Sequence, residues 1–268
     1  MKKVDEYRVK PGAELSLADF PCADDGGWEK RQAKRQFARL SERLCELQEL
    51  LFVDGRHALL VVLQAMDAAG KDSTLRAVFG PVNPQGCRVV SFKAPSPREL
   101  HHDYLWRVHD ATPEHGHITV FNRSHYEDVL VARVNALVTE TVWRRRYRHI
   151  NDFERLLADE GTLILKFYLH VSKDYQRQRL QRRLDRPDKQ WKFNPKDLDA
   201  RKRWADYMRA YEEALSRCST DAAPWYVIPA EQRWYRNLLV VQALVDALEK
   251  LRLRYPEPDF DPAAIQLT

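Results

Sequence analysis

Long apolar runs are missing from this sequence: nowhere in its 268 residues is there a stretch of about 18 apolar side chains, the length a membrane-crossing helix needs. No membrane span is expected. The amino terminus, MKKVDEYRVKPG, has no apolar segment behind its lysines, so it does not read as a secretory signal. Cysteine is scarce. Cys22, Cys45, Cys87 and Cys218 lie far apart with no CxxC pair, which speaks against a disulfide framework or zinc site and for reduced thiols in the cytoplasm. Internal repeats and low-complexity tracts are absent. Charge of one sign is absent too, since 44 Lys and Arg face 39 Asp and Glu for a net +5.

What is present suits a globular protein with a substantial core: 44% of residues are hydrophobic and 31% charged. The mild basic excess is unevenly spread. WRRRYRH (143–149) and RQRLQRRLDRPDKQWK (177–192) are locally dense in Arg and Lys. Such density fits either a solvated helix face or a polyanionic partner such as nucleic acid, nucleotide or polyphosphate.

Hydrophobic spacing predicts alternating strands and helices. Residues 1–26 read as a polar surface arm. A helix follows from Trp28 to about Phe52, its stripe formed by Phe37, Leu40, Leu44, Leu47 and Leu51. Strands are expected at 58–65, 86–95, 117–123, 162–172 and 224–230, with helices between them, charged helices over 173–218 and a closing helix. The first strand, ALLVVLQA, is apolar throughout, as a central parallel strand buried on both faces would be. The expected fold is α/β: a parallel five-stranded sheet with helices on both faces, binding its ligand at the carboxyl ends of the strands. A single domain accommodates all of it. Residues 1–54 form the arm and first helix, 55–172 the core, 173–218 the charged region, and 219–268 the last strand, helix and tail.

LQAMDAAGKDST (63–74) joins the first strand to a helix. A phosphate loop turns tightly, points backbone N–H groups inward and adds the positive end of the next helix. Gly70 and Lys71 keep that pattern, and Ala68, Ala69, Gly70, Lys71, Asp72 and Ser73 are the candidate phosphate-binding residues. Two positions depart from it. Ala65 replaces the first glycine, and Asp72 replaces the Ser or Thr whose hydroxyl usually ligates Mg²⁺. Asp67 lies inside the loop, where a carboxylate among phosphates is tolerable with a cation between them, so it is a candidate metal ligand. The third strand ends in VFNRSHYEDVL, with Asn122 where a carboxylate often stands. From here Arg123 is placed to neutralise the transferring phosphate. Asp128 is expected to hold the metal together with Asp67, and Glu127 to face the acceptor. Lys93, Asn122, Glu127 and Arg133 are the candidate acceptor-nucleotide contacts.

These motifs, with NPQGCRVVSFKAPS, DYLWRVH, the run from YRHINDFERLLADEG to DRPDKQWKF, and APWYVIPAEQRWYRN, resemble the family-2 polyphosphate kinases. The resemblance extends from Tyr7 to about Tyr255 and is nearest to the subgroup accepting both nucleoside mono- and diphosphates. It implies a phosphate-loop kinase fold, thymidylate-kinase-like, with a helical lid. It implies reversible transfer between inorganic polyphosphate and nucleotides with Mg²⁺ (or Mn²⁺). By this resemblance Asp67, Lys71, Arg123, Glu127 and Asp128 are the catalytic set. Glu127 stands where members restricted to diphosphate acceptors carry Asn. Homo-oligomers, dimers or tetramers, are implied as well; neither a membrane nor a nucleic-acid partner is.

Polyphosphate has neither base nor sugar, so only its charge can be recognised. The segment 177–192 suits that task, with Arg177, Arg179, Arg182, Arg183, Lys189 and Lys192; Arg179, Arg182, Arg183 and Arg186 share roughly one helical face. Such a lid would close over the reacting groups and exclude water. Two other readings compete. An ATP-dependent nucleoside monophosphate kinase would need a base site beside the loop. A nucleic-acid-binding module with an inactive loop would need aromatics interleaved with basic residues on an exposed face.

Overall fold

The structure, a computed structural model, describes residues 1–262 and 265, so the end of the 219–268 segment lies outside the described residues. Five strands form one sheet: β1 (Ala58–Gln64), β2 (Cys87–Ser91), β3 (Ile118–Asn122), β4 (Thr162–His170) and β5 (Trp225–Pro229). Their order is β2-β3-β1-β4-β5, and every pairing is parallel. The chain leaves β1 toward β2, returns through β3, then crosses to β4 on the other side. The switch in direction leaves a crevice at the carboxyl end of β1, between β3 and β4.

β1 is buried along its whole length, and its side chains alternate between two cores as a two-faced strand requires. Leu59, Val61 and Leu63 join one core, while Leu60 and Val62 join the other. The first core is closed by the N-terminal helix (Lys30–Asp54), through Leu40, Leu44, Leu47 and Leu51, and by the closing helix (Arg233–Lys250). The second is closed by the middle helix (Glu140–Asp159) and the return helix (Trp204–Cys218). Trp143, Tyr147, Ile150, Phe153 and Leu157 recur at steps of three and four and form the buried face of the middle helix.

Three expectations are revised. The strands are shorter than their apolar runs, most of all β2, which stops at Ser91 rather than reaching Pro95. The amino-terminal arm is docked rather than merely superficial: Val4, Tyr7, Val9 and Leu17 are buried, Val9 N–H donates to the Trp225 carbonyl (2.8 Å), and Ser219 Oγ donates to the Val9 carbonyl (2.7 Å). The arm thereby covers β5, the outer strand of the sheet, whose edge would otherwise be open to unwanted pairing. Finally, Arg186, expected to share a helical face with Arg179, Arg182 and Arg183, lies beyond the end of their helix. The arginine helix (Lys173–Leu184) ends because Arg186 precedes Pro187, and a residue before proline is pushed out of the helical region. Among the described residues, no helix is long and apolar enough to cross a membrane, and all four cysteines are free.

Candidate active site

The turn after β1 is built to expose its backbone. Ala68 takes φ 64° and Gly70 φ 113°, and the loop helix (Lys71–Val78) starts directly after Gly70. An L side chain is strained at the Gly70 angle, and a Cβ there would also meet Arg236 Nη1 at 2.2 Å. The two hydroxyls that follow Asp72 in the sequence point back into the loop. Ser73 Oγ and Thr74 Oγ1 both donate to the Gly70 carbonyl (2.8 and 3.2 Å). Lys71 Nζ donates to the Ala65 carbonyl (3.0 Å). Burial holds its ammonium below the ordinary range, Asp67 opposes that shift, and Arg123 adds to it.

Opposite the loop, β3 delivers Asn122 and Arg123. Arg123 adopts φ 63° and its Nη2 pairs with Asp67 Oδ1 at 3.0 Å. Burial alone would lower its pKa, but Glu127 and Asp67 together raise it. Asn122 Nδ2 donates to Asp72 Oδ1 (3.2 Å). The unusual residues of loop helix and strand, Asp72 and Asn122, are thus partners. The acid lost at the end of the third strand reappears on the loop helix, and the neutral partner has moved to the strand.

Loop, strand ends and arginine helix enclose a groove of about 540 Å³. From the loop it takes Asp67, Ala68, Gly70, Lys71, Asp72 and Ser73; Ala69, also expected there, is buried beneath. From the other strand ends come Lys93, Asn122 and Arg123. The charged region adds Arg179, Arg182, Arg183, Arg186, Lys189 and Lys192. Arg177 turns away, four ångströms from Asp174 (4.0 Å). Ten of the lining side chains are cationic and two, Asp67 and Asp72, are carboxylates. One of those cations, Arg233 at the start of the closing helix, was not anticipated, though QRWYRN directly after the fifth strand was a readable signal.

The adjacent acids Glu127 and Asp128 part company. Both belong to a short 3-10 turn (His125–Asp128) capped by Ser124, whose Oγ accepts from the Tyr126 N–H (3.2 Å). Glu127 lies in the electrostatic field of Arg123, Lys71 and Asp67; burial raises its pKa and the two cations oppose that. Asp128 lines a separate recess of about 390 Å³ with Tyr104 and Arg107, and pairs with Arg146 at 3.2 Å. Burial raises its pKa and Arg146 opposes the rise. Asp67 and Asp128, expected to share a metal, line different recesses, and the other carboxylate lining the groove with Asp67 is Asp72. Arg133, expected at the acceptor, is held by other partners. It pairs with Glu213 at 2.6 Å and lies over the Trp143 ring at 4.2 Å, so it fastens the return helix and lines neither recess.

In the basic cluster at 143–149 the aromatics are taken up internally, while Arg144, Arg145 and Arg148 stay exposed. Trp143 and Tyr147 are buried, Arg144 pairs with Glu140 and Glu213, and Arg146 with Asp128. It offers none of the exposed interleaved aromatics that single-stranded nucleic acid stacks upon. Beneath the 3-10 turn lies a buried polar network. Lys166 Nζ donates to Glu154 Oε2 (2.5 Å), to Tyr126 Oη (2.8 Å) and to the Cys218 carbonyl (2.6 Å). Tyr126 Oη donates to Glu154 Oε1 (2.9 Å), which also lies 3.1 Å from His125 Nε2.

Among the described residues no three His, Cys, Asp or Glu side chains gather into a preformed metal site. Mg²⁺ does not require one, because it commonly takes one or two carboxylates together with substrate phosphates and water. Asp67 and Asp72, set among phosphate-binding cations, fit that mode.

A family model described as polyphosphate kinase 2 matches residues 27–255. The chain belongs to the polyphosphate kinase 2 family. A relative from Meiothermus ruber, AMP/ADP-polyphosphate phosphotransferase, is 56% identical over 261 residues, covering 97% of each chain. An ADP-polyphosphate phosphotransferase from Rhodopseudomonas palustris is 45% identical over 95% of this chain and 93% of its own. The crystal structure of polyphosphate kinase 2 from Arthrobacter aurescens superimposes with a TM-score of 0.94 at 44% identity, covering 98% of this chain and 95% of that one. The parallel five-stranded sheet with its phosphate loop is thus the polyphosphate kinase 2 fold.

Proposed function

We propose that this chain is a polyphosphate-dependent nucleotide kinase, moving phosphate reversibly between inorganic polyphosphate and nucleoside mono- and diphosphates, AMP to ADP and ADP to ATP. The observation that carries the reading is the groove: ten cations meet at a phosphate loop with two carboxylates among them. A donor made only of phosphates offers nothing but charge to grip, and this groove grips charge. Phosphoryl transfer asks for alignment and neutralisation more than covalent chemistry. Lys71 and Arg123 would neutralise the transferring group. Arg179, Arg182, Arg183 and Lys189 would hold the donor chain, acting as a lid that excludes water. Lys93 and Asn122 stand on the acceptor side. Asp67 and Asp72 would hold Mg²⁺ (or Mn²⁺), which when bound lowers the repulsion between incoming and leaving phosphate oxygens. The name of the 56%-identical relative supports both AMP and ADP as acceptors, and so does the Glu127 resemblance. We further place the enzyme in the cytoplasm as a homo-oligomer, dimer or tetramer.

The deciding assay mixes purified protein with Mg²⁺, long-chain polyphosphate and AMP, and follows ADP and ATP. Both should appear. With ADP alone accepted, the monophosphate reading falls. Transfer to AMP from ATP but not from polyphosphate would make the chain an ATP-dependent monophosphate kinase. A companion variant, Glu127→Asn, is expected to lose AMP as acceptor by tenfold or more, roughly the scale of one lost polar contact, while keeping ADP. Equal loss for both acceptors would remove Glu127 from acceptor choice.

A further inference from the structure

Arg236 is a large buried cation for which the proposed chemistry has no task. It lies on the closing helix and is only 1% exposed. Its guanidinium meets the phosphate loop from behind. Nη1 donates to the Ala69 carbonyl (3.3 Å) and Nη2 to Ser73 Oγ (3.0 Å), while Nε and Nη2 both donate to Asn237 Oδ1 (3.1 and 3.0 Å). Every one of these acceptors is neutral. Among the described residues no carboxylate pairs with Arg236, in contrast to the buried Lys166, which has Glu154. The other charged groups it feels are cations that line the groove, Arg233 on its own helix and Arg179 on the arginine helix. Burial pulls its pKa down to about 10, with Tyr175 opposing the shift and those two cations adding to it, which leaves it charged at neutral pH.

A buried cation without a counter-ion is costly unless an anion arrives. The wall between this guanidinium and the groove is one glycine thick. The position a Cβ of Gly70 would take is 2.2 Å from Arg236 Nη1, and Gly70 and Ser73, which Arg236 contacts, both line the groove. An anion held by the loop would then lie close to a guanidinium that no carboxylate pairs with among the described residues.

We infer that Arg236 is a positioning residue for the phosphate loop whose counter-ion is the bound polyphosphate, so that donor binding completes a charge pair the free protein leaves open. Its fork fixes Ala69 and Ser73 and so sets the loop, while its charge acts across Gly70 on the donor. The inference rests on polyphosphate being the donor.

The test measures thermal unfolding with and without long-chain polyphosphate, and steady-state KM values for donor and acceptor, in wild type, Arg236→Met and Arg236→Lys. Arg236→Met should keep or raise the melting temperature of the free protein. Its polyphosphate-induced rise should shrink to less than half of the wild-type value, and its polyphosphate KM should climb about tenfold, with the acceptor KM within twofold. Arg236→Lys keeps the charge but not the fork, so it should retain most of the induced rise and lose kcat instead. A wild-type-like induced rise and polyphosphate KM in Arg236→Met, with a free protein several degrees less stable, would make Arg236 a structural pin and overturn the inference. If Arg236→Met does not fold, Arg236→Lys decides alone, and loss of its induced rise overturns the charge role. No rise in wild type at all would overturn the donor reading itself, and this inference with it.

Discussion

Single side chains in this groove have separable tasks. Asp67 forms an ion pair with Arg123, and a carboxylate amid so many cations favours metal chemistry over donor affinity. Asp67→Asn is therefore expected to lower the transfer rate by about 10²–10³, the cost of losing one aligned electrostatic group, while polyphosphate binding by titration is retained; loss of binding would contradict this. Asp197 behaves differently. It pairs with Arg183 at 3.3 Å, yet burial, reinforced by repulsion from Asp67, pushes its carboxyl up to about 6. An acid whose pKa is raised on folding contributes stability below its ordinary value of 3.8 and loses it as the pH rises through 6. In metal-free protein, Asp197→Asn should match wild type near pH 4 and melt higher than wild type above pH 6. A flat difference across that range would count against it.

At the scale of elements, the 3-10 turn His125–Asp128 is the piece that decides which acid goes where. It is locked from beneath by Glu154 on the middle helix and Lys166 on β4, both about 1% exposed or less. Breaking one member of a buried ion pair strands the other at a cost of about 3–5 kcal/mol. Glu154→Gln should lose stability on that scale in urea unfolding, and a Glu154→Met/Lys166→Met double variant should lose less than the sum of its single changes. Burial acts to raise the Glu154 pKa, but Lys166 and His125 overcome it and the net shift is downward. Its contribution is accordingly present above its ordinary value of 4.5 and lost as the pH falls through the depressed folded pKa. The acid limb of the wild-type stability curve should therefore be steeper than that of Glu154→Gln.

For the whole molecule, net charge says little and its distribution says much. A net +5 from 44 cations and 39 anions gives weak long-range steering. Ten cations around one groove give strong local binding that releases counter-ions. Raising salt from about 50 to about 200 mM should lift the polyphosphate KM by at least tenfold, the direction and scale of polyanion binding, and the acceptor KM by far less. Equal salt responses would mean that the groove does not hold the donor.

Sequence alone determined the fold and the loop, because both are written in short-range patterns. The unbroken apolar runs such as ALLVVLQA, the helix stripes and GK between strand and helix depend on neighbours a few positions apart. So does the density of Arg179, Arg182 and Arg183. Tertiary structure alone decided the directions of side chains whose partners are remote. Adjacent Glu127 and Asp128 diverge because a 3-10 turn sends neighbours to different sides, and what waits on each side comes from other elements: Lys71 and Asp67 on one, Arg146 on the other. Arg133 sits five residues from Asp128, yet Glu213, far along the chain, captures it. Arg236 reads as one more residue of an amphipathic helix until the fold brings it against Ala69 and Ser73. Local sequence sets backbone conformation and hydrophobic period. Where a long charged side chain ends is set by whichever opposite charge or open carbonyl the packed chain brings within about 3 Å.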